Sequence, residues 1–220
     1  MGREDWYRQT TWTAADEEAF RSRLRRCRSQ GTRAQCLRIQ ALYLEQAGLV
    51  APAMQLLGEY LETCREGFEL SMVYGQLATC HERLGNVREA VSCLRSALAA
   101  EETRPNMRTH AWLEFGRIAV EHGFVDLFDD FLRLVEERGR RAGGLRGETV
   151  FPVQRYLLNA YLAIIYTSRG EPSRGREHAK QALVAAAETK SGFSRHPELG
   201  LVSDTTTDLY RRIAVMGADG

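Results

Sequence analysis

Apolar positions along this chain recur every three to four residues and almost nowhere alternate, which predicts helices throughout and no lasting strand. Thr13-Ala-Ala-Asp16 has the form of a helix-capping signal, and Asp16, Glu17 and Glu18 supply an acidic first turn. A first helix is therefore expected to run to about residue 28 and to bury Phe20, Leu24 and Cys27. Ser29-Gln-Gly-Thr32 reads as the break after it. Further helices are predicted over roughly 33–47, from Pro52 to about 64, and over 68–84 and 87–101. Others are predicted from about Pro105 to just before Gly123, and over 124–138, 152–169 and 172–190. Several open on a proline, which the first turn tolerates. The stretch 139–147 has four glycines in nine residues and reads as a flexible insert, a simple lengthening of a loop. Residues 191–202, with Phe193, His196, Pro197 and Leu201, read as ordered coil, and a short last helix over about 204–215 would close the end.

Four glycines punctuate pairs of these helices: Gly48, Gly85, Gly123 and Gly170, spaced by 37, 38 and 47 residues. The last spacing is long because the glycine-rich insert falls within it. A recurrence near this period predicts a solenoid of helical hairpins. The second unit is the clearest, with Tyr74, Leu77, Ala78 and His81 before Gly85-Asn86, then Ala90, Leu94 and Ala97. Small residues such as Ala78 and Ala90 suit a close helix crossing, and Gly85 suits a left-handed turn. This unit resembles the tetratricopeptide repeat. The other units match less fully. The first has Leu37, Ala41, Leu44, Ala53 and Leu57. The third has Trp112, Phe115, Gly116, Ala119, Phe128 and Leu132, with Phe128 where the pattern has a small residue, so a wider or tilted crossing is expected there. The fourth has Leu162, Ala163, Tyr166, Gly175 and Ala179. The whole chain is also similar to a family of uncharacterised bacterial tetratricopeptide proteins, through Trp12-Thr13, Glu18-Ala-Phe20, Leu37-Arg-Ile-Gln-Ala-Leu42, Ala111-Trp-Leu-Glu-Phe-Gly116 and Gly192-Phe-Ser-Arg-His-Pro197. That resemblance implies a fold and no particular activity.

The expected fold is all-α: a right-handed superhelical solenoid of antiparallel helix hairpins, about nine to ten helices in a single domain over 1–220. Residues 1–32 form an N-terminal cap, 33–190 hold about four hairpins with the insert 139–147, and 191–220 form a coil and capping helix.

Composition narrows the function classes. The chain has 220 residues, 44% hydrophobic and 27% charged, an ordinary globular balance with enough length for a sizeable core. Thirty basic and 29 acidic residues leave a net charge of +1, which gives no electrostatic footprint for nucleic acid or an anionic membrane. The longest apolar run, near 161–166, is too short to span a bilayer, and the start has no signal-peptide core. Five cysteines at uneven spacing, with no C-x-x-C, fit small buried residues in a reducing cytoplasm rather than disulfides or zinc.

Motifs that carry chemistry are sparse. His81-Glu82 lacks the second histidine of a zincin site, and His81 reads as a hydrogen-bonded core imidazole. His110, His122, His178 and His196 show no ligand spacing, and His122 suits the C-terminal end of a helix. Gly143-Gly-Leu-Arg-Gly147 follows no strand and precedes no lysine, so it is not a phosphate loop. There is no Gly-x-Ser-x-Gly elbow, and Cys27 between Arg26 and Arg28 lies on the Phe20–Leu24 core stripe. No catalytic residue, metal ligand or cofactor is expected. Residues 21–38 hold seven arginines and no acid, either a solvated face or a docking face for an acidic protein.

In a solenoid the first helix of each hairpin lines a concave strip. The strip is expected to include Arg38, Gln76, Glu82, Arg83, His110, Glu114, Arg117 and Tyr161, mixed in charge at one end and apolar, with Leu157, Ala160 and Ile164, at the other. Such a strip suits an extended peptide or a partner helix. The expected function is a non-enzymatic protein or peptide interaction module. A dedicated regulator or neutraliser of one bacterial partner is the narrower version, and an enzyme with an unrecognised groove site is the alternative from another class. A second copy is a candidate partner through Trp6, Tyr7, Trp12 or the last helix; packing back on the first helix is the other reading of Trp6 and the preferred one of Trp12, which is close to the helix start.

Overall fold

The computed structural model describes residues 5–64, 68–104, 107–141 and 143–218. Among them are ten helices of eleven residues or more, one five-residue helical segment and no strand. None of these helices is long and apolar enough to cross a membrane. The chain divides into two compact units, Met1–Ala111 and Trp112–Gly220.

In the first unit, α1 (Ala14–Arg26) opens on a complete capping box. The Asp16 backbone N–H donates to the Thr13 hydroxyl oxygen, and the Thr13 backbone N–H donates to the Asp16 carboxylate at 2.9 Å. Phe20 and Leu24 are buried as expected, while Cys27 has become the C-cap and is only half-buried. Trp6 and Trp12 each approach the Phe20 ring at 5.5 Å between centroids. Gln40, fully buried on α2 (Gln30–Gln46), exchanges two hydrogen bonds with the backbone of Gln9. The N-terminal segment is thereby sealed over Phe20, and both tryptophans are spent on the chain's own core. The break before α2 comes earlier than the sequence suggested. Ser29 is an N-cap accepting from the Thr32 N–H, so Gln30-Gly-Thr32 is already helical. The hairpin partner α3 (Val50–Thr63) follows, then the pair α4 (Leu70–Arg83) and α5 (Val87–Thr103). Ala41, Ala53, Ala78 and Ala90 are all buried, as close crossings require.

The second unit holds α6 (Ala111–Glu121), whose first residue belongs to the first unit, and α7 (Phe128–Gly139), which a 3-10 turn introduces. The helix expected from Pro105 begins only at Ala111, and Pro105 itself lies outside the described residues. Phe128 is buried, and a small residue of this crossing lies on the other helix: Gly116 on α6 makes room for Phe131, whose ring a Cβ there would meet at 2.4 Å. Phe131 stacks on the buried Trp112. The glycine-rich insert is not a plain loop lengthening. Gly139 ends α7, Gly143 takes a left-handed φ of 86°, and α8 (Gly144–Glu148) forms. It is held by Arg138 and Glu148, paired at 2.8 Å with side chains 2% and 5% exposed. The Arg138 guanidinium also lies 5.4 Å from the Trp112 ring centre.

Next come α9 (Pro152–Ser168) and α10 (Pro172–Ala186), both opening on proline. Gly175 lets them approach so closely that a Cβ would meet the Ala163 carbonyl at 2.9 Å. The coil after α10 is ordered, with Phe193 stacked on Phe151 and the Val153 N–H donating to the Gly200 carbonyl at 2.8 Å. The last helix, α11 (Asp208–Ala218), packs against α10 and α9, four residues later in the chain than its expected start.

The four punctuating glycines all have positive φ, between 63° and 80°. Their turns close with one hydrogen-bond pattern. The residue after the glycine donates five residues back, Leu49 to Leu44, Asn86 to His81, Phe124 to Ala119 and Glu171 to Tyr166. The glycine donates three back, to Glu45, Glu82, Val120 and Thr167. This is the double closure that satisfies the last carbonyls of a helix. In each case the next helical segment starts two residues after the glycine.

Candidate partner-binding site

The nominated strip is only partly a surface. In the first unit α2 and α4, the leading helices of consecutive hairpins, lie side by side. They run in the same direction, because Arg38 at the middle of α2 pairs with Glu69, just before α4, at 2.7 Å, and Glu45 near the end of α2 pairs with Arg83 at the end of α4, also at 2.7 Å. Arg38 is mostly enclosed and Arg83 is substantially exposed. Gln76, two turns before Arg83, is partly buried, and both its carboxamide atoms lack a hydrogen-bond partner among the described residues. Glu82 is partly buried and has a partner, and Thr79, one turn after Gln76, is exposed. His110 is exposed and also has a partner. On α6 the Arg117 guanidinium bridges Glu114 at 2.8 Å and Glu121 at 2.7 Å.

Tyr161 has to be withdrawn from the strip. It is 1% exposed, its ring meets Phe131 edge-on at 6.2 Å, and burial pushes its hydroxyl well above the usual tyrosine range. Ala160 and Ile164 are buried as well. Of the proposed apolar end, Leu157 is only partly buried while Ala160 and Ile164 are core, because α9 packs against both α10 and α11 and has few sides left to expose.

The titratable groups divide by burial. Burial raises the Cys36 thiol to about 12 and the Cys80 thiol to about 11, which keeps both protonated and unreactive. All five cysteines are free. His81 is partly buried, and its Nδ1 has no hydrogen-bond partner among the described residues, so the hydrogen-bonded imidazole expected there is not formed at that atom. His178 stacks on Tyr166, shares a 2.9 Å contact with the Asn159 carboxamide oxygen, and is held below its ordinary value chiefly by burial. Among the described residues no three His, Cys, Asp or Glu side chains converge on a metal position.

One feature of the first unit was not visible as a site in the sequence. At the junction of α1, α2 and α3 a cavity of about 320 Å³ is lined by Leu24, Arg28, Gln30, Arg33, Leu37, Glu59 and Thr63. Of the seven arginines in 21–38, Arg21 pairs with Glu17 and Glu59, Arg25 with Glu18, and Arg38 with Glu69. Arg23, Arg26, Arg28 and Arg33 are exposed, and their side chains form no ion pair or hydrogen bond among the described residues. The composition signal was there, but only the packing separates spent from unspent arginines. No family model, curated protein or solved structure matches the chain. The site therefore rests on its own geometry.

Proposed function

We propose that this chain is a cytoplasmic, tetratricopeptide-type hairpin solenoid that binds a protein or peptide partner and performs no chemistry of its own. The observation that carries the reading is the parallel pairing of α2 and α4, which brings Arg38, Gln76, Glu82 and Arg83 onto adjoining leading helices. Parallel leading helices are what stacked hairpins of one sense produce, and the polar groups they carry can hold an extended chain. The uniform closure at Gly48, Gly85, Gly123 and Gly170 supports the same repeating architecture.

The test is capture of a partner from the native host, followed by titration of that purified partner. Gln76→Ala combined with Thr79→Trp changes the α4 face and leaves the Glu45–Arg83 pair in place. Affinity is expected to fall roughly tenfold or more while the thermal midpoint stays near that of the unaltered protein. Equal affinity in the variant, or no partner that rebinds once purified, would remove this surface from the reading.

A further inference from the structure

We propose that the cavity where α1, α2 and α3 meet is a docking pocket for an acidic peptide segment that carries an apolar side chain. The inference rests on the reading of the chain as a binding module and names the chemistry of what it binds. Three observations point to this occupant. Leu24 and Leu37, 5% and 2% exposed, are the two apolar residues among the seven that line the cavity. Arg28 and Arg33 stand beside them, exposed and with no ion pair or hydrogen bond from their side chains among the described residues, on a chain whose total charge is only +1. The volume, about 320 Å³, lies at the small end of ligand sites and suits one anchoring side chain rather than a whole cofactor.

The surrounding charges fit the same partner. Glu59 is the one acid of the lining among the described residues, and Arg21 already neutralises it. Arg23 and Arg26, equally uncommitted among those residues, extend the positive surface along α1 beyond the cavity. An incoming Leu, Met or Phe would displace water from the lining, and flanking carboxylates would meet the two guanidiniums, which favour planar, two-point contact with such groups. Nucleic acid fits less well, because no aromatic side chain among the described residues lines the pocket to stack a base.

Fluorescence anisotropy on the full chain tests this, using a labelled pool of short peptides in which Asp or Glu alternates with Leu, Met or Phe. A matched pool carries Asn and Gln in place of the acids. The acidic pool should bind roughly tenfold more tightly than the amide pool, and the difference should shrink as salt is raised. Arg28→Glu with Arg33→Glu should abolish that preference. Thr63→Trp, which fills the mouth at unchanged charge, should weaken binding of both pools. Gln76→Ala with Thr79→Trp should leave binding intact, which separates this pocket from the α2–α4 surface. Circular dichroism confirms that each variant is folded, and Arg28→Gln with Arg33→Gln serves as the milder form. No binding of the acidic pool, binding indifferent to the Arg28 and Arg33 changes, or equally tight binding of a single-stranded oligonucleotide that these changes abolish would each overturn the proposal.

Discussion

Arginine does opposite work at two places in the molecule, around α8 in the second unit and beside the α1–α3 cavity in the first. In the second unit Arg138 is enclosed, paired with Glu148 and set over Trp112, and Arg155 reaches the Thr149 and Val150 carbonyls while gripping both oxygens of Glu188. In the first unit Arg28 and Arg33 stand on the surface with no acid or carbonyl to hold among the described residues. The same residue type is a staple in one place and unspent charge in the other. The difference lies in whether an acid from another part of the fold comes within reach. Glu148 arrives because α8 folds back on α7, whereas Glu59, the acid beside Arg28 and Arg33, is already taken by Arg21.

Substitutions at these arginines sharpen that contrast. Arg138→Ala would remove one side of a pair whose side chains are 2% and 5% exposed, and is expected to cost about 3–5 kcal/mol in chemical denaturation. Joint replacement by Arg138→Met and Glu148→Leu should recover most of that loss, and a mild effect of the single change would mean that the insert is not stapled. Arg155→Ala removes a partly exposed pair and two bonds to backbone carbonyls, so a loss of about 1 kcal/mol is expected by the same measurement. Arg28→Gln with Arg33→Gln should shift stability by no more than about 0.5 kcal/mol, since neither side chain has a described partner to lose. A large loss there would show that these arginines are structural and would erase the contrast.

Much of the fold was legible because turns and caps are local. Gly48, Gly85, Gly123 and Gly170 announce themselves, and so does the Thr13–Asp16 box. What was not legible depends on which elements come together. The run around Tyr161 was noticed for its apolarity, but periodicity alone does not say that α10 and α11 both cover α9. At the third crossing Phe128 suggested a wide approach, whereas the close contact is made elsewhere, by Phe131 against Gly116 on the opposite helix. The insert looked loose because its anchor, Arg138, precedes the glycines and its partner follows them. The candidate surface suffered in the same way. Arg38 and Arg83 were found, but their ties to Glu69 and Glu45 were not, and the cavity beside Arg28 exists only once three helices meet.

The hairpin tips carry a last consequence. At Gly48, Gly85, Gly123 and Gly170 an added Cβ would touch nothing within 4 Å, so there is ample room for a side chain. What bars an ordinary residue is chirality, because an L-amino acid at such a φ crowds its own backbone. A mirror-image residue, D-alanine at Gly85 in a semisynthetic chain, would fit without strain and would stiffen the unfolded ensemble, tightening the fold at a place where every natural alternative loosens it.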